Sequence, residues 1–408
     1  MLGKTVAVLA LAASCVITGI EPAIASSTAS QAVSENSPWY ATDYGASLSR
    51  ANPSEQVLTP AAVPNVTYLR STTSPPTPPG QQCGPEGIAA PALVGGYVYA
   101  MTNYALSKYN AATGKLVWRH TPDSTFFTEY QSMSVSSSGT VVVGGSLCDS
   151  ASEPSSGFYA YNAATGKHLW SVDPSEGLSQ AVVSNGSVVT AGSDAAGYFL
   201  YVLNLSNGTT VWHNTTSCYP YLTSPLVVSS LVMSYGCDST GANLTIEARN
   251  LSTGALVWSQ PGNWTLQRGN SSVNQLFATD PAGAVVALNP LTGKVEYTLS
   301  KAVNVLAVDT SRVYATCGSQ SVCAYNVKTG APEWTDASLT ATPALAAEAD
   351  GVLYLNSGLV LNAATGQAIT TLHSPNFNAP ATALAVGDGR IAVVSNPSKL
   401  DLLGLPGY

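Results

Sequence analysis

The chain has 408 residues, a formal net charge of -8, 45% hydrophobic residues and only 9% charged ones. That length accommodates one large closed all-β domain without a second core. The acidic balance removes the electrostatic basis for binding nucleic acid, so no nucleic-acid partner is expected.

Residues 1–25 contain one early base, Lys4, an apolar run over 5–13, and Ala23-Ile24-Ala25 before Ser26. This pattern reads as an export signal with an A-x-A cleavage site. A second processing route stays open, because Leu11-Ala12-Ala13-Ser14-Cys15 loosely resembles a bacterial lipobox in which Cys15 becomes the lipidated first residue. No later run is long and apolar enough to span a bilayer. The mature protein is therefore expected outside the cytoplasm, secreted or tethered through Cys15. Residues 26–37 read as a flexible Ser/Ala-rich tail, and 38–408 as the folded domain.

After a stiff Pro-rich excursion at 74–80, SPPTPPG, one stretch recurs to the end of the chain. YNAATGKLVW ends at Trp118, YNAATGKHLW at Trp170, LNLSNGTTVW at Trp212 and RNLSTGALVW at Trp258. LNPLTGKVEY ends at Tyr297, YNVKTGAPEW at Trp334 and LNAATGQAIT at Thr370. The turn glycines, Gly114 to Gly366, recur every 36 to 52 residues, a period that belongs to arrays of small all-β units. Each copy reads as a hairpin whose glycine can take positive φ. Four residues later an aromatic ring can fill the gap between neighbouring sheets. Trp118, Trp170, Trp212, Trp258, Tyr297 and Trp334 are thus read as structural docking residues. Thr370 breaks the pattern, which suggests looser docking in a late blade.

These hairpins resemble the tryptophan-docking repeat of quinoprotein-like β-propellers. That group includes the pyrroloquinoline-quinone-dependent alcohol dehydrogenases and the cofactor-free lipoprotein of the bacterial outer-membrane assembly machine. The opening, with Trp39, Arg50, Asn52, Leu58-Thr59-Pro60 and a strand over 65–70, is also similar to theirs. The resemblance implies that this strand completes the last blade, and closure would remove both free sheet edges. The expected fold is all-β, a single eight-bladed propeller of four-stranded antiparallel blades, with seven blades as the alternative. The chain is expected to act as a monomer.

Six cysteines follow the leader: Cys83, Cys148, Cys218, Cys237, Cys317 and Cys323. An even number in an exported chain suggests disulfides. Cys317 and Cys323 flank a short GSQS turn on opposite arms of a hairpin. Cys218 precedes an inner strand and Cys237 ends the next strand, so these two could also meet. Cys83 and Cys148 are left by elimination.

Residues just before the inner strands would line the wide mouth in propellers of this kind. By position these are Glu86, Glu129, Tyr130, Glu176, Tyr219, Tyr221, Arg268, Asn376 and Asn378. Such a rim could bind a protein or glycan ligand, or be solvated decoration. The resemblance to quinone enzymes would require a Ca²⁺ set, an Asp base and an adjacent Cys pair, and this chain has no adjacent cysteines. No Gly-x-Ser-x-Gly elbow, phosphate loop or His-Glu-x-x-His motif occurs either. The sequence therefore reads as an exported, non-catalytic binding or scaffold module without cofactor or metal. The alternatives are a divergent quinone- and calcium-dependent dehydrogenase, or an enzyme acting on extracellular polysaccharide.

Overall fold

The computed structural model describes residues 37–41, 43–73, 88–89, 91–102, 104–121, 128–147, 156–172, 178–194, 197–216, 225–237, 244–377, 380–396 and 398–407. Their strands form eight sheets arranged as blades of four antiparallel strands. Blade 1 runs Ala92–Val94, Tyr97–Thr102, Ala105–Asn110 and Leu116–His120. Blades 2 to 7 repeat that meander, with inner strands Thr128–Val135, Leu178–Ser184, Leu226–Val228, Thr265–Asn270, Asn304–Val308 and Ala346–Ala349. Blade 8 has Ala383–Gly387, Arg390–Asn396 and Lys399–Gly404, and takes its outermost strand, Thr67–Thr73, from the other end of the chain. The inner strand of blade 8 touches those of blades 7 and 1, so the ring closes.

Both faces of a blade pack on neighbours, so its middle strands are buried along most of their length instead of alternating. Val285–Leu288, for example, is buried at every position. Outer strands present alternate residues to solvent, as in Leu116–His120.

The docking hairpins show why their residues recur. Asn162 Oδ1 accepts the N–H groups of Ala164 and Thr165 at 3.0 Å each, an Asx turn that holds the chain for the reversal. Gly166 then takes φ +71°, and a Cβ there would stand 2.8 Å from the Trp118 ring. The same ring donates its Nε1–H to Ala163 O at 3.2 Å. Trp170, Trp212, Trp258 and Trp334 repeat this on Leu205, Leu251, Pro290 and Ala363 O, at 2.7 to 3.1 Å. Tyr297 does so through its hydroxyl, on Val327 O. Each docking residue follows a β-bulge that turns the ring out of its own sheet onto the next blade.

The closing strand begins two residues later than the sequence suggests, because Val63–Asn65 forms a 3-10 turn with Pro64 in its first positions. The strand also carries the repeat's bulge: Tyr68 pairs with Leu403 and Arg70 with Leu402. Arg70 thus occupies the docking position, with its Cδ 3.0 Å from where a Cβ on Gly114 would lie. Thr370 holds the same register position in blade 7, opposite Val360. The blade 8 strand it would dock on leads into no Asn-x-x-x-Gly hairpin, and the blade 7 outer strand packs instead against the Val63–Asn65 turn.

Candidate functional site

The inner strands end in short turns on one face of the ring, and the chain preceding the closing strand makes a circuit along those ends. Trp39 exchanges both backbone hydrogen bonds with Leu93 of blade 1, at 2.7 and 2.9 Å. Tyr40 O accepts Val135 N–H of blade 2 at 2.8 Å, and Ala46 O accepts Val227 N–H of blade 4 at 2.7 Å. Ser47, Ser49 and Arg50 carbonyls then take the N–H groups of Gly269, Val308 and Glu348 in blades 5, 6 and 7, at 2.9, 2.8 and 2.8 Å. Ala51–Asn52 adds a short parallel strand to blade 7, and Ser37 O accepts Asp388 N–H of blade 8 at 3.1 Å. Every bend of so tight a circuit must come from the backbone, and Tyr44, Leu48 and Arg50 adopt positive φ.

Across the circuit, Arg50 N–H donates to Asp43 O at 3.1 Å, and its guanidinium pairs with the Asp43 carboxylate. Arg268 of blade 5 reaches the same carboxylate at 3.4 Å, and also donates to Leu48 O at 2.8 Å and Val305 O at 2.9 Å. Burial pushes the Asp43 carboxyl up, but the two guanidiniums outweigh it and hold the group below its ordinary value. Burial pulls Arg268 down to about 10, against the opposing pull of Asp43, so it stays charged at neutral pH.

Arg268, expected at the rim, is thus an internal anchor for the circuit. Asn376 donates to Ser71 Oγ at 3.0 Å and Asp401 Oδ1 at 2.7 Å, which ties the closing strand to blade 8. Glu129 and Tyr130 lie in the strand Thr128–Val135, with side chains outside the described set. Glu86, Glu176, Tyr219, Tyr221 and Asn378 fall outside the described residues, as do Cys83, Cys148 and Cys218. Cys317 and Cys323 are joined by a disulfide with Cα atoms 5.9 Å apart. They sit on a diagonal, since Thr316 pairs with Val322 and Ala315 with Cys323. Cys237 is also disulfide-bonded, its partner lying outside the described residues.

Two clefts open between blades on the circuit's face. One, of about 330 Å³, lies between blades 6 and 7 and gathers Glu55, Asp309, Arg312, Glu348 and Asp350. Asp309 is fixed by the N–H groups of Ser311 and Arg312 at 2.5 and 2.6 Å and by the Tyr314 hydroxyl at 2.6 Å. Burial and then repulsion from Asp309 push the Glu348 carboxyl up to about 8, although it accepts Gly351 N–H at 3.0 Å. The other, of about 380 Å³, lies between blades 1 and 2 and is lined by Pro38, Tyr40, Tyr97, Tyr99, Lys108 and Ser136 among others. Nothing in the sequence alone marked either cleft, because each is assembled from segments far apart in the chain. Among the described residues no group of three or more His, Cys, Asp or Glu is placed to hold a metal ion, and no helix is long and apolar enough to cross a membrane.

No curated protein sequence matched the chain significantly. Among solved structures, BamB from Moraxella catarrhalis is similar with TM-score 0.58 at 18% identity, covering 83% of this chain and 99% of that one. The quinohemoprotein alcohol dehydrogenase ADHIIG from Pseudomonas putida HK5 is similar with TM-score 0.61 at 14% identity, covering 91% of this chain and 81% of that one. A computationally designed protein, Ika8, gives TM-score 0.59 at 15% identity, over 79% and 98%. At these identities the likeness speaks for the fold, which catalytic and non-catalytic proteins share. Residues 102–273 and 242–400 match the family model described as outer membrane protein assembly factor BamB. With most of its length inside that model, the chain belongs to the PQQ-like, BamB-type family of β-propellers.

Proposed function

We propose that this protein is an exported, non-catalytic propeller that serves as a binding or scaffold module for a protein or glycan of the cell envelope or its surroundings. In this reading it stands closer to the assembly-factor type than to the quinone-dependent dehydrogenases. The observation that supports it is the use made of the charged groups inside the circuit. Asp43, Arg50 and Arg268 spend their charges on one another and on backbone carbonyls. Groups so committed are poor candidates for acid-base work, which needs a free partner within reach of a substrate. A closed ring stapled by its own amino-terminal segment is instead a rigid platform, suited to presenting loops.

Native mass spectrometry of the mature protein purified from its own host tests the reading. A co-purifying glycan or protein partner, with an otherwise apo chain mass, is the expected result. A stoichiometric quinone retained together with calcium overturns it in favour of a dehydrogenase.

A further inference from the structure

The joint between blades 1 and 2 carries a charge at a position that is apolar in every sister blade. In each blade one residue of the third strand stands opposite the docking position. It is Ala160 opposite Trp170, Val202 opposite Trp212, Ala248 opposite Trp258 and Ala287 opposite Tyr297. It is Ala324 opposite Trp334, Val360 opposite Thr370 and Leu402 opposite Arg70. In blade 1 it is Lys108, opposite Trp118. The sister blades make the same joint with an uncharged apolar side chain, so the docking architecture does not call for a lysine.

Lys108 is only 5% exposed, a costly place for an ammonium without a counter-charge. Its Nζ donates to Ala163 O at 2.9 Å and lies 3.7 Å from the centre of the Tyr97 ring and 5.3 Å from that of Tyr99. Trp118 Nε1 and the Tyr99 hydroxyl aim at the same carbonyl, at 3.2 and 3.3 Å, so three donors compete for one oxygen. Two further N–H donors of the ammonium remain for another acceptor. Among the described residues Lys108 forms no ion pair, and no carboxylate lines the adjoining cleft of about 380 Å³. Among the described residues the only charged side chain lining the cleft is this cation, with the buried Asp388 carboxylate behind the wall, held by Gly96 N–H at 3.1 Å and felt by the Tyr40 hydroxyl. Burial also lowers the lysine's pKa, an effect that a bound anion would reverse.

We propose that the cleft between blades 1 and 2 binds a small carboxylate-bearing molecule, such as a uronic acid, with Lys108 holding the carboxylate beside the aromatic wall of Tyr40 and Tyr97. The volume suits one ligand of monosaccharide size. The proposal goes beyond the scaffold reading and does not depend on whether the ring is catalytic.

The test titrates the mature protein, labelled with ¹³C at lysine Cε, with D-glucuronate, acetate and D-glucose, following the Lys108 resonance assigned by its loss in Lys108→Ala. That variant is expected to fold with unchanged melting, since sister blades carry alanine at the equivalent position. Glucuronate, or acetate if the sugar ring is excluded, should move the resonance saturably and raise its titration midpoint, while glucose leaves it in place. Binding measured calorimetrically should weaken by about ten- to a hundredfold in Lys108→Ala and largely survive in Lys108→Arg. The proposal is overturned if neither carboxylate moves the resonance, if glucose moves it equally, or if Lys108→Ala binds as well as the parent.

Discussion

Asn52 closes a loop on Ser37: its side-chain amide donates to Ser37 O and to Val386 O, at 2.9 Å each. Ser37 Oγ in turn donates to Glu55 Oε2 at 2.9 Å, and the other Glu55 oxygen accepts Val57 N–H at 2.9 Å. The two ends of the circuit thus meet on blade 8, the blade that the closing strand completes. Closure of the ring is consequently made twice, once by strand pairing at its outer edge and once by this buried network at its inner edge.

Replacing Asn52 with alanine removes a donor from two buried carbonyls, of which Ser37 O keeps the Asp388 N–H. The expected loss is about 2 to 3 kcal/mol, read as a lower urea midpoint with an unchanged slope. A cost within experimental error would mean that the circuit's ends are not held by this residue.

The Asp43 cluster gives an acid-side prediction. Its carboxyl is depressed in the folded state, so the stability it contributes is present above the ordinary carboxylate value of 3.8 and lost as pH falls through the lower folded value. Arg268→Met removes one guanidinium and should cost about 3 kcal/mol at neutral pH, with a shallower loss below about pH 4 because less of the depression remains. Urea unfolding across the acid range checks both parts.

Glu348 predicts the opposite limb. Its carboxyl is raised from 4.5 to about 8, so between those values the native state binds more protons than the unfolded chain, and stability falls as pH climbs through that window. The decline should total on the order of 5 kcal/mol and level off above about pH 9. Glu348→Gln keeps an acceptor for Gly351 N–H and should flatten that limb in a pH series of thermal melts.

Docking predicts an asymmetry between blades. Trp212→Ala should cost about 3 to 5 kcal/mol, through loss of the ring's contacts on Gly254 and of its bond to Leu251 O. Thr370→Trp, which restores the repeat on paper, should bring no stabilisation, because the blade 8 strand Lys399–Gly404 runs into Leu405-Pro406-Gly407 and not into the Asn-x-x-x-Gly hairpin that receives a ring elsewhere. Paired thermal melts decide between this account and simple divergence of the repeat.

The repeat was readable because docking needs the same residues each time: an Asn to hold the turn, a glycine where a Cβ would strike a ring, and the ring itself. Blade number followed from that spacing and the partial unit after it, and the closing strand from the resemblance of the opening to quinoprotein-like propellers. Arg70 was not recognised as a docking residue, since its register depends on a bulge that only pairing with Leu402 and Leu403 reveals. Arg268 was placed at the rim from its position before an apolar run, whereas its role is set by Asp43, far away in the chain. The Lys108 cleft stayed hidden for the same reason: its walls come from the circuit and two blades, and pairwise register across all eight blades is what singles the lysine out.

In the proposed function this ring is a platform rather than a quinone-dependent enzyme. The most direct measurement is dye-linked alcohol oxidation by the purified mature protein after incubation with pyrroloquinoline quinone and Ca²⁺. The account predicts dye reduction no faster than with protein whose ring has been unfolded. Sustained, saturable turnover that requires both the quinone and the folded protein would contradict it.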